Sequence, residues 1–272
     1  PMQDAEMLIA MRIMSRVLSA SYYVNPLLFP LIVFKMVDIT REYGIGPKSP
    51  VAFVTLGMIH CAIGNFNKGF LFGRLGINLA HSLDSNEDCS QASCIYNTGV
   101  RPWFDPVREV TKSLLNDTKI AMQMGDIEFG LASVISSYSY SFHSGFNITE
   151  LQTEAENKRR FFSQFNQQIQ ITQFDVLIRT FSNFVNYTAS PEVLTGDGFD
   201  EQKSLEQCLK DKDDTSILNI YLNKLMLSMY FMRYEQGLEI ASLGRQKVKA
   251  TSGLLLYVFF HFYVAMWGLW GR

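Results

Sequence analysis

GNFNKG at residues 64–69 and GDIEFG at residues 125–130 share the pattern of a helix–turn–helix junction, and MRYEQG at residues 232–237 keeps its aromatic residue and its last glycine. A glycine in the left-handed conformation ends the first helix. A polar residue such as Asn or Asp then caps the second. The pattern predicts antiparallel helical hairpins of the tetratricopeptide type.

Each position of the junction has a predicted structural role. The apolar residue after the cap is expected to pack back on the preceding helix, and the last glycine to let the two helices approach closely. The copies are 61 and then 107 residues apart, so the array is degenerate rather than a regular tandem. The predicted junction residues are Gly64, Asn65, Phe66, Gly69, Gly125, Asp126, Ile127, Gly130, Tyr234 and Gly237.

Apolar residues recur at helical spacing along nearly the whole chain, which predicts an all-α fold. We expect one domain over residues 1–272, in which the hairpins stack as a tetratricopeptide-like right-handed superhelix, an α-solenoid. Two connections, 84–102 and 188–200, interrupt the array, and the first includes a short helix over 89–97. The predicted helices are 3–21, 26–43, 50–63, 66–83, 104–124, 127–143, 148–167, 170–187, 200–210, 214–231, 234–249 and 252–269.

The composition excludes some classes of function. Apolar residues make up 47% of the chain and charged residues 18%, which is too apolar for a disordered protein. The net charge of −2 leaves no basic footprint for nucleic acid. Four cysteines do not form a disulfide framework in a chain of this length, so a cytoplasmic location is expected.

No motif for nucleotide, acyl or metal chemistry occurs in the sequence, so we expect no cofactor, metal or catalytic residue in this segment. Residues 253–270 are apolar apart from His261 and come close to the length of a membrane span. A membrane-associated protein anchored by 253–270 is therefore the alternative to a buried repeat helix. A small-molecule-binding helical enzyme is a third interpretation, for which no spacing argues.

The leading interpretation is an interaction module whose concave groove holds a peptide, a protein ligand or a neighbouring domain. Aromatic side chains on the helices are candidates to line that groove. The candidate groove residues are Tyr138, Tyr140, Phe142, Tyr221 and Tyr230.

Four segments, in this order, carry a resemblance to a known architecture: 25–44 (NPLLFPLIVFKMVDITREYG), 125–130, 217–225 (ILNIYLNKL) and 260–263 (FHFY). The chain resembles the helical middle region of large multidomain sensor histidine kinases. In that architecture a serine/threonine-kinase-like domain and an AAA-type ATPase precede the repeats, and a GAF domain and a histidine kinase follow them. The chain departs from the family at Val264, where an acidic residue is common.

The resemblance implies that this chain is a fragment of a larger phosphorelay protein. ATP and Mg²⁺ would then be bound by domains outside the segment, and the repeats would couple those domains to the sensor. None of the family's catalytic motifs falls within residues 1–272, so no catalytic residue is carried over.

Overall fold

The computed structural model describes residues 1–83, 86–186, 188–196 and 198–270, without the side chains of residues 86–88 and 270. The protein is all-helical: 79% of it is helix, and the described residues contain no strand. The predicted fold class, all-α, is confirmed. Stacking of the hairpins into a solenoid stays a prediction.

Thirteen α-helices occur in the described part of the chain, and two short 3₁₀ segments, Arg101–Trp103 and Val248–Thr251, lie between them. The α-helices are α1 (Ala5–Val24), α2 (Leu28–Tyr43), α3 (Ser49–Ala62), α4 (Phe66–Ser82), α5 (Asn86–Gly99), α6 (Val107–Gln123), α7 (Ile127–His143), α8 (Ile148–Phe162), α9 (Gln168–Val185), α10 (Glu201–Asp211), α11 (Asp214–Tyr230), α12 (Tyr234–Arg245) and α13 (Leu255–Trp270).

The twelve predicted helices are all present, with ends that differ by a few residues. The short helix predicted over 89–97, within the connection 84–102, is longer in the structure, where residues 86–99 form α5. Residues 84 and 85 lie outside the described residues. Ala92 and Cys94 of α5 are buried, so packing stabilises a helix whose composition is poor in helix formers.

The chain divides into two compact units, Pro1–Val134 and Ile135–Arg272, and the prediction of one repeat domain is not decided by this division. The first unit is built around α3, which packs against α1, α2, α4 and α5. Ten of the fourteen residues of α3 are buried. A helix enclosed on so many sides must be apolar around its whole circumference, and α3 has no charged residue.

Small residues let α3 and α4 lie unusually close together. A Cβ atom at Gly57 of α3 would stand 2.7 Å from the backbone nitrogen of Gly73, and one at Gly76 of α4 would stand 2.7 Å from the backbone nitrogen of Val54. A Cβ at Gly69 would stand 2.4 Å from the sulfur of Cys61. The predicted role of Gly69 in close helix approach is thus confirmed, and Gly57 and Gly76 extend that contact.

The second unit repeats this design around α11, of whose seventeen residues thirteen are buried. It packs against α9, α10, α12 and α13. Its buried face includes two amides: Asn223 accepts a hydrogen bond from the Thr180 hydroxyl (3.1 Å), and Asn219 donates to the carbonyl of Gln173 (3.4 Å). This polar seam between α9 and α11 specifies their register, because a slip would leave buried polar groups unpaired.

The helix ends share one backbone geometry at five places. At Gly64 the amide bonds the Cys61 carbonyl, and the next amide bonds the His60 carbonyl, which is the Schellman arrangement. The predicted left-handed glycines are confirmed, with φ of 77° at Gly64 and 76° at Gly125. The same bonds occur after three more helices, where the left-handed residues are Gly145, Lys212 and Met232.

Met232 takes the left-handed conformation without being glycine, at φ 59°. We expect Met232→Gly to raise the free energy of unfolding by about 0.5–1 kcal/mol, because the Cβ strain disappears and the side chain is exposed. Chemical denaturation would measure the change.

Two glycine-to-alanine variants test the same backbone geometry by the same measurement. Gly64→Ala should lower the stability by about 1 kcal/mol through backbone strain alone, because a Cβ there would meet nothing within 4 Å. Gly268→Ala, in a helix and equally free of contacts, should not lower it. Equal effects at positions 64 and 268 would contradict the assigned backbone geometry.

The α3–α4 contact generates a second prediction. Gly57→Ala should cost at least about 2 kcal/mol of stability, because the new methyl group would meet backbone atoms that cannot move aside. Gly130→Ala is the control, since its Cβ would meet the flexible end of Met122 and should change the stability by less than about 1 kcal/mol. Similar losses for the two variants, measured by urea unfolding, would argue against the close backbone contact.

Candidate interaction surfaces

The junction residues differ from one copy to another in what they contact. Phe66 lies with its ring 5.1 Å from that of Trp103, and Tyr234 lies 5.1 Å from Trp267. Both aromatic contacts are to later parts of the chain, whereas the sequence analysis expected packing on the preceding helix. Ile127 is partly buried.

The capping and glycine positions also differ between copies. Asn65 caps α4 as predicted, accepting a hydrogen bond from the Lys68 amide (3.4 Å). The carboxylate of Asp126 accepts a hydrogen bond from the Ser90 hydroxyl (2.7 Å) and so ties the turn to α5. A Cβ at Gly237 would stand 2.2 Å from the indole of Trp267, so this glycine makes room for α13 and not for the preceding helix.

The aromatic groove predicted from the sequence is wrong for two of its five members. Tyr138 and Tyr140 are buried, with 2% and 1% of their surface exposed, so neither reaches a ligand on the surface. Tyr138 donates a hydrogen bond to Glu154 (3.2 Å), and Tyr140 packs on Phe259. Large aromatic side chains are used here to fill the core.

The other three groove candidates lie nearer the surface. Phe142 and Tyr221 are partly buried against the core of the second unit. Tyr230 is 55% exposed, and its ring contacts Phe184 at 5.2 Å. None of the five candidates lines the cleft described below.

The connection 188–200, called here the strap, packs onto the second unit and does not project from it. Its described residues are 188–196 and 198–200. The side-chain amide of Asn183 donates to the carbonyls of Pro191 (2.8 Å) and Val193 (2.7 Å), and Leu194 is fully buried. An apolar side chain and buried hydrogen bonds therefore hold the described part of the strap against the unit.

Glu201, at the start of α10, fixes the end of the strap. Its carboxylate accepts a hydrogen bond from the backbone amide of Leu194 (2.9 Å) and forms an ion pair with Lys224 of α11. Both side chains of the pair are largely buried. An ion pair in such a place contributes a fixed geometry more than stability.

A cleft of about 640 Å³ lies beside the strap, between α10 and the first half of α9. Arg159 of α8 donates to Asp175 of α9 through two nitrogens and closes one part of its wall. Uncharged polar side chains supply much of the remaining surface. The residues of this kind are Ser163, Asn166, Gln168, Thr172, Ser204, Gln207 and Ser216.

At the α10–α11 turn the cleft is lined by two carboxylates, those of Asp211 and Asp213. Asp213 accepts a hydrogen bond from the backbone amide of Ser216 (2.9 Å) and so caps α11. Asp213 is buried, and burial raises its pKa. Burial also raises the pKa of Cys208 to about 12, and the nearby charges of Asp213 and Asp211 add to this increase.

A second surface lies on α1 and α2, which pack side by side in the first unit. Large apolar side chains that are 40–82% exposed lie on the faces of these helices opposite to their buried residues. They follow helical spacing and form one row on each helix. The members are Ile9, Ile13, Val17 and Val24 of the first row and Leu27, Leu28, Leu31 and Phe34 of the second. We call this surface the α1–α2 apolar face.

The buried titratable groups serve packing. Asp117 of α6 accepts hydrogen bonds from Ser93 (2.8 Å) and Asn97 (2.7 Å) of α5, and burial raises its pKa. Burial raises the pKa of Cys94 to about 12, which keeps the thiol protonated and unreactive. Within the described residues, no three His, Cys, Asp or Glu side chains are grouped as they would be around a metal ion.

The apolar segment 253–270 contains α13, whose residues Phe260, Tyr263 and Trp267 are buried in the core of the second unit. In the part of the chain that the structure describes, no helix combines the length and apolar character needed to cross a membrane. The burial of one face of α13 agrees with its interpretation as a packed repeat helix.

No protein-family model matches this chain, and no curated protein is significantly similar to it. The resemblance to the helical region of sensor histidine kinases therefore stays an expectation from the sequence.

His143 gives a testable dependence on pH. Its ring stacks on Phe259 at 3.7 Å, its Nδ1 lies 2.7 Å from the Ser139 carbonyl, and burial lowers its pKa from 6.5 to about 4. Because the folded state disfavours the charged imidazole, this stabilising contribution is complete above pH 6.5 and is lost as the pH falls toward 4. The loss should approach about 3 kcal/mol.

We expect His143→Phe, which keeps the stacked ring, to make the free energy of unfolding less dependent on pH between 7.5 and 4.5. Urea titrations at several pH values would measure this. His261→Phe, which replaces an exposed imidazole, is the control and should follow the wild-type profile. If the stability of His143→Phe depends on pH as steeply as that of the wild type, the assignment of a buried, neutral imidazole to His143 is wrong.

Proposed function

We propose that this chain is a non-catalytic helical scaffold that works through contacts with neighbouring domains or with another protein. The α1–α2 apolar face carries the proposal. Rows of exposed Ile, Val, Leu and Phe side chains on two helices that pack together are costly to leave in water, and surfaces of this kind mark sites of protein association.

The geometry of this face favours a helix as the partner. On α1 the exposed residues Ile9, Ile13 and Val17 are spaced by four, and at the N-cap of α2 and along it Leu27, Leu31 and Phe34 are spaced by four and three. Ridges with these spacings pack into the grooves of a facing helix. An amphipathic helix would meet such ridges through its own apolar stripe.

The finer proposal is that the scaffold couples kinase, ATPase and sensor domains of a phosphorelay protein. It rests on the sequence resemblance described above. Helical repeats beside a signal-transduction ATPase would hold it in one state until a stimulus changes their contacts, and this assignment is by analogy.

The test uses the kinase-like and ATPase domains that the resemblance predicts, produced from the same gene and mixed with this chain. Isothermal titration calorimetry would measure binding, and ATP turnover would be recorded with and without the chain. Binding with altered turnover supports the scaffold. A gene without such domains, or domains that neither bind nor respond, would overturn the coupling role.

Substitutions on the α1–α2 apolar face separate the surface from the fold. The double variant Ile13→Gln, Leu31→Gln should weaken binding at least about tenfold, because two large apolar side chains no longer contribute to the interface. The circular dichroism spectrum of the double variant should match that of the wild type, because both substituted residues are exposed and do not contribute to the core. Leu238→Gln, on the equally exposed Leu238 of α12, should leave the affinity unchanged. If Leu238→Gln weakens binding and the double variant does not, the interface lies elsewhere than on the α1–α2 apolar face.

A further inference from the structure

We propose that the cleft between α10 and the first half of α9 binds an extended peptide segment of a partner protein and places a lysine or arginine of that segment beside the exposed Asp211, with the buried carboxylate of Asp213 behind it. The proposal rests on the role of this chain as an interaction scaffold. It adds a second contact site, in the other compact unit, with its own chemistry.

The walls of the cleft suit a peptide main chain. Gln168 and Gln207 use their amide nitrogens in hydrogen bonds to Thr172 (3.3 Å) and Asp211 (2.7 Å), so their carbonyl oxygens remain as acceptors. Asn166 is exposed and makes no hydrogen bond within the described residues. An extended peptide presents alternating N–H and C=O groups that need partners of both kinds.

The size and composition of the cleft argue for a peptide over a small apolar ligand. Its volume of about 640 Å³ is large enough for several residues. Pockets for small molecules are lined mainly by hydrophobic and aromatic side chains. In this cleft Phe165, Ile169, Ile171 and Phe199 are outnumbered by polar groups.

The charges of the lining select a cation. Two of the four carboxylates have a basic partner within the cleft: Asp175 is held by Arg159, and Asp200 by Lys203 (3.3 Å). Asp211 and Asp213 have none among the lining residues, and they are two residues apart in the chain.

Positive groups near the cleft do not reverse this balance. Arg159 directs two of its nitrogens to Asp175, and Lys203 is exposed at the rim. Lys210 and Lys212 belong to the same turn but do not line the cleft. The amino ends of α9 and α11 each contribute about half a positive charge, and together they offset less than two carboxylates.

The experiment passes an oriented library of hexapeptides over the immobilised full chain and sequences the retained peptides. We expect enrichment of lysine and arginine at one position. The enriched peptide, labelled with fluorescein, is then measured by fluorescence anisotropy beside a copy in which glutamate replaces the basic residue, and the copy should bind at least about tenfold more weakly.

The double variant Asp211→Asn, Asp213→Asn removes both charges and keeps the fold, because asparagine is an equally good helix cap. It should lose the preference for the basic residue. Asp38→Asn, which neutralises an exposed carboxylate on α2, is the control and should keep the preference. Enrichment without a basic position, or a preference that survives the double variant, would overturn the proposal.

The Ile13→Gln, Leu31→Gln variant distinguishes this site from the proposed function. It should bind the basic peptide with wild-type affinity, since its changes lie on the α1–α2 apolar face. If the wild-type chain binds the domains but not the basic peptide, only the cleft assignment is wrong. If it binds the peptide but not the domains, the coupling role is wrong and the cleft assignment stands.

Discussion

Each compact unit depends on the enclosure of one central helix, α3 in the first unit and α11 in the second. The polar side chains of a helix that is buried on nearly all sides cannot form hydrogen bonds with water. Its side chains must therefore be apolar or must find hydrogen-bond partners within the protein. The two units meet this constraint differently. The first brings α4 against α3 through glycines, and the second pairs the buried amides of α11 with α9.

The helices were predictable because their apolar periodicity is a local property of the sequence. The exception is α5, whose sequence NEDCSQASCIYNTG is rich in residues that favour caps and turns. Its helical state follows from nonlocal contacts: Gln91 accepts a hydrogen bond from Ser15 of α1 (2.9 Å), and α5 packs on α3. Tertiary packing overrides a weak local propensity of this kind.

The junctions show the same limit. Glycine marked the left-handed helix ends at positions 64 and 125, and the structure confirms both. At Lys212 the same geometry occurs without glycine, and no local signal identifies it. What requires it there is the hairpin formed by α10 and α11, which places the buried cap Asp213 directly after the turn.

The candidate cleft could not be predicted because its walls come together only when the strap folds back along α9. In the sequence, aromatic residues were the more visible signal of a binding groove. Because aromatic side chains bury a large apolar surface, they often fill a core, and Tyr138 and Tyr140 do so here. Leu194 and Asn183 fix the strap at separate points along α9 and α11. These anchors hold α10 at the edge of the cleft before any ligand arrives. Binding there would therefore not require the ordering of a loop. The conformational entropy that a flexible insertion loses on binding is, in this unit, already lost on folding.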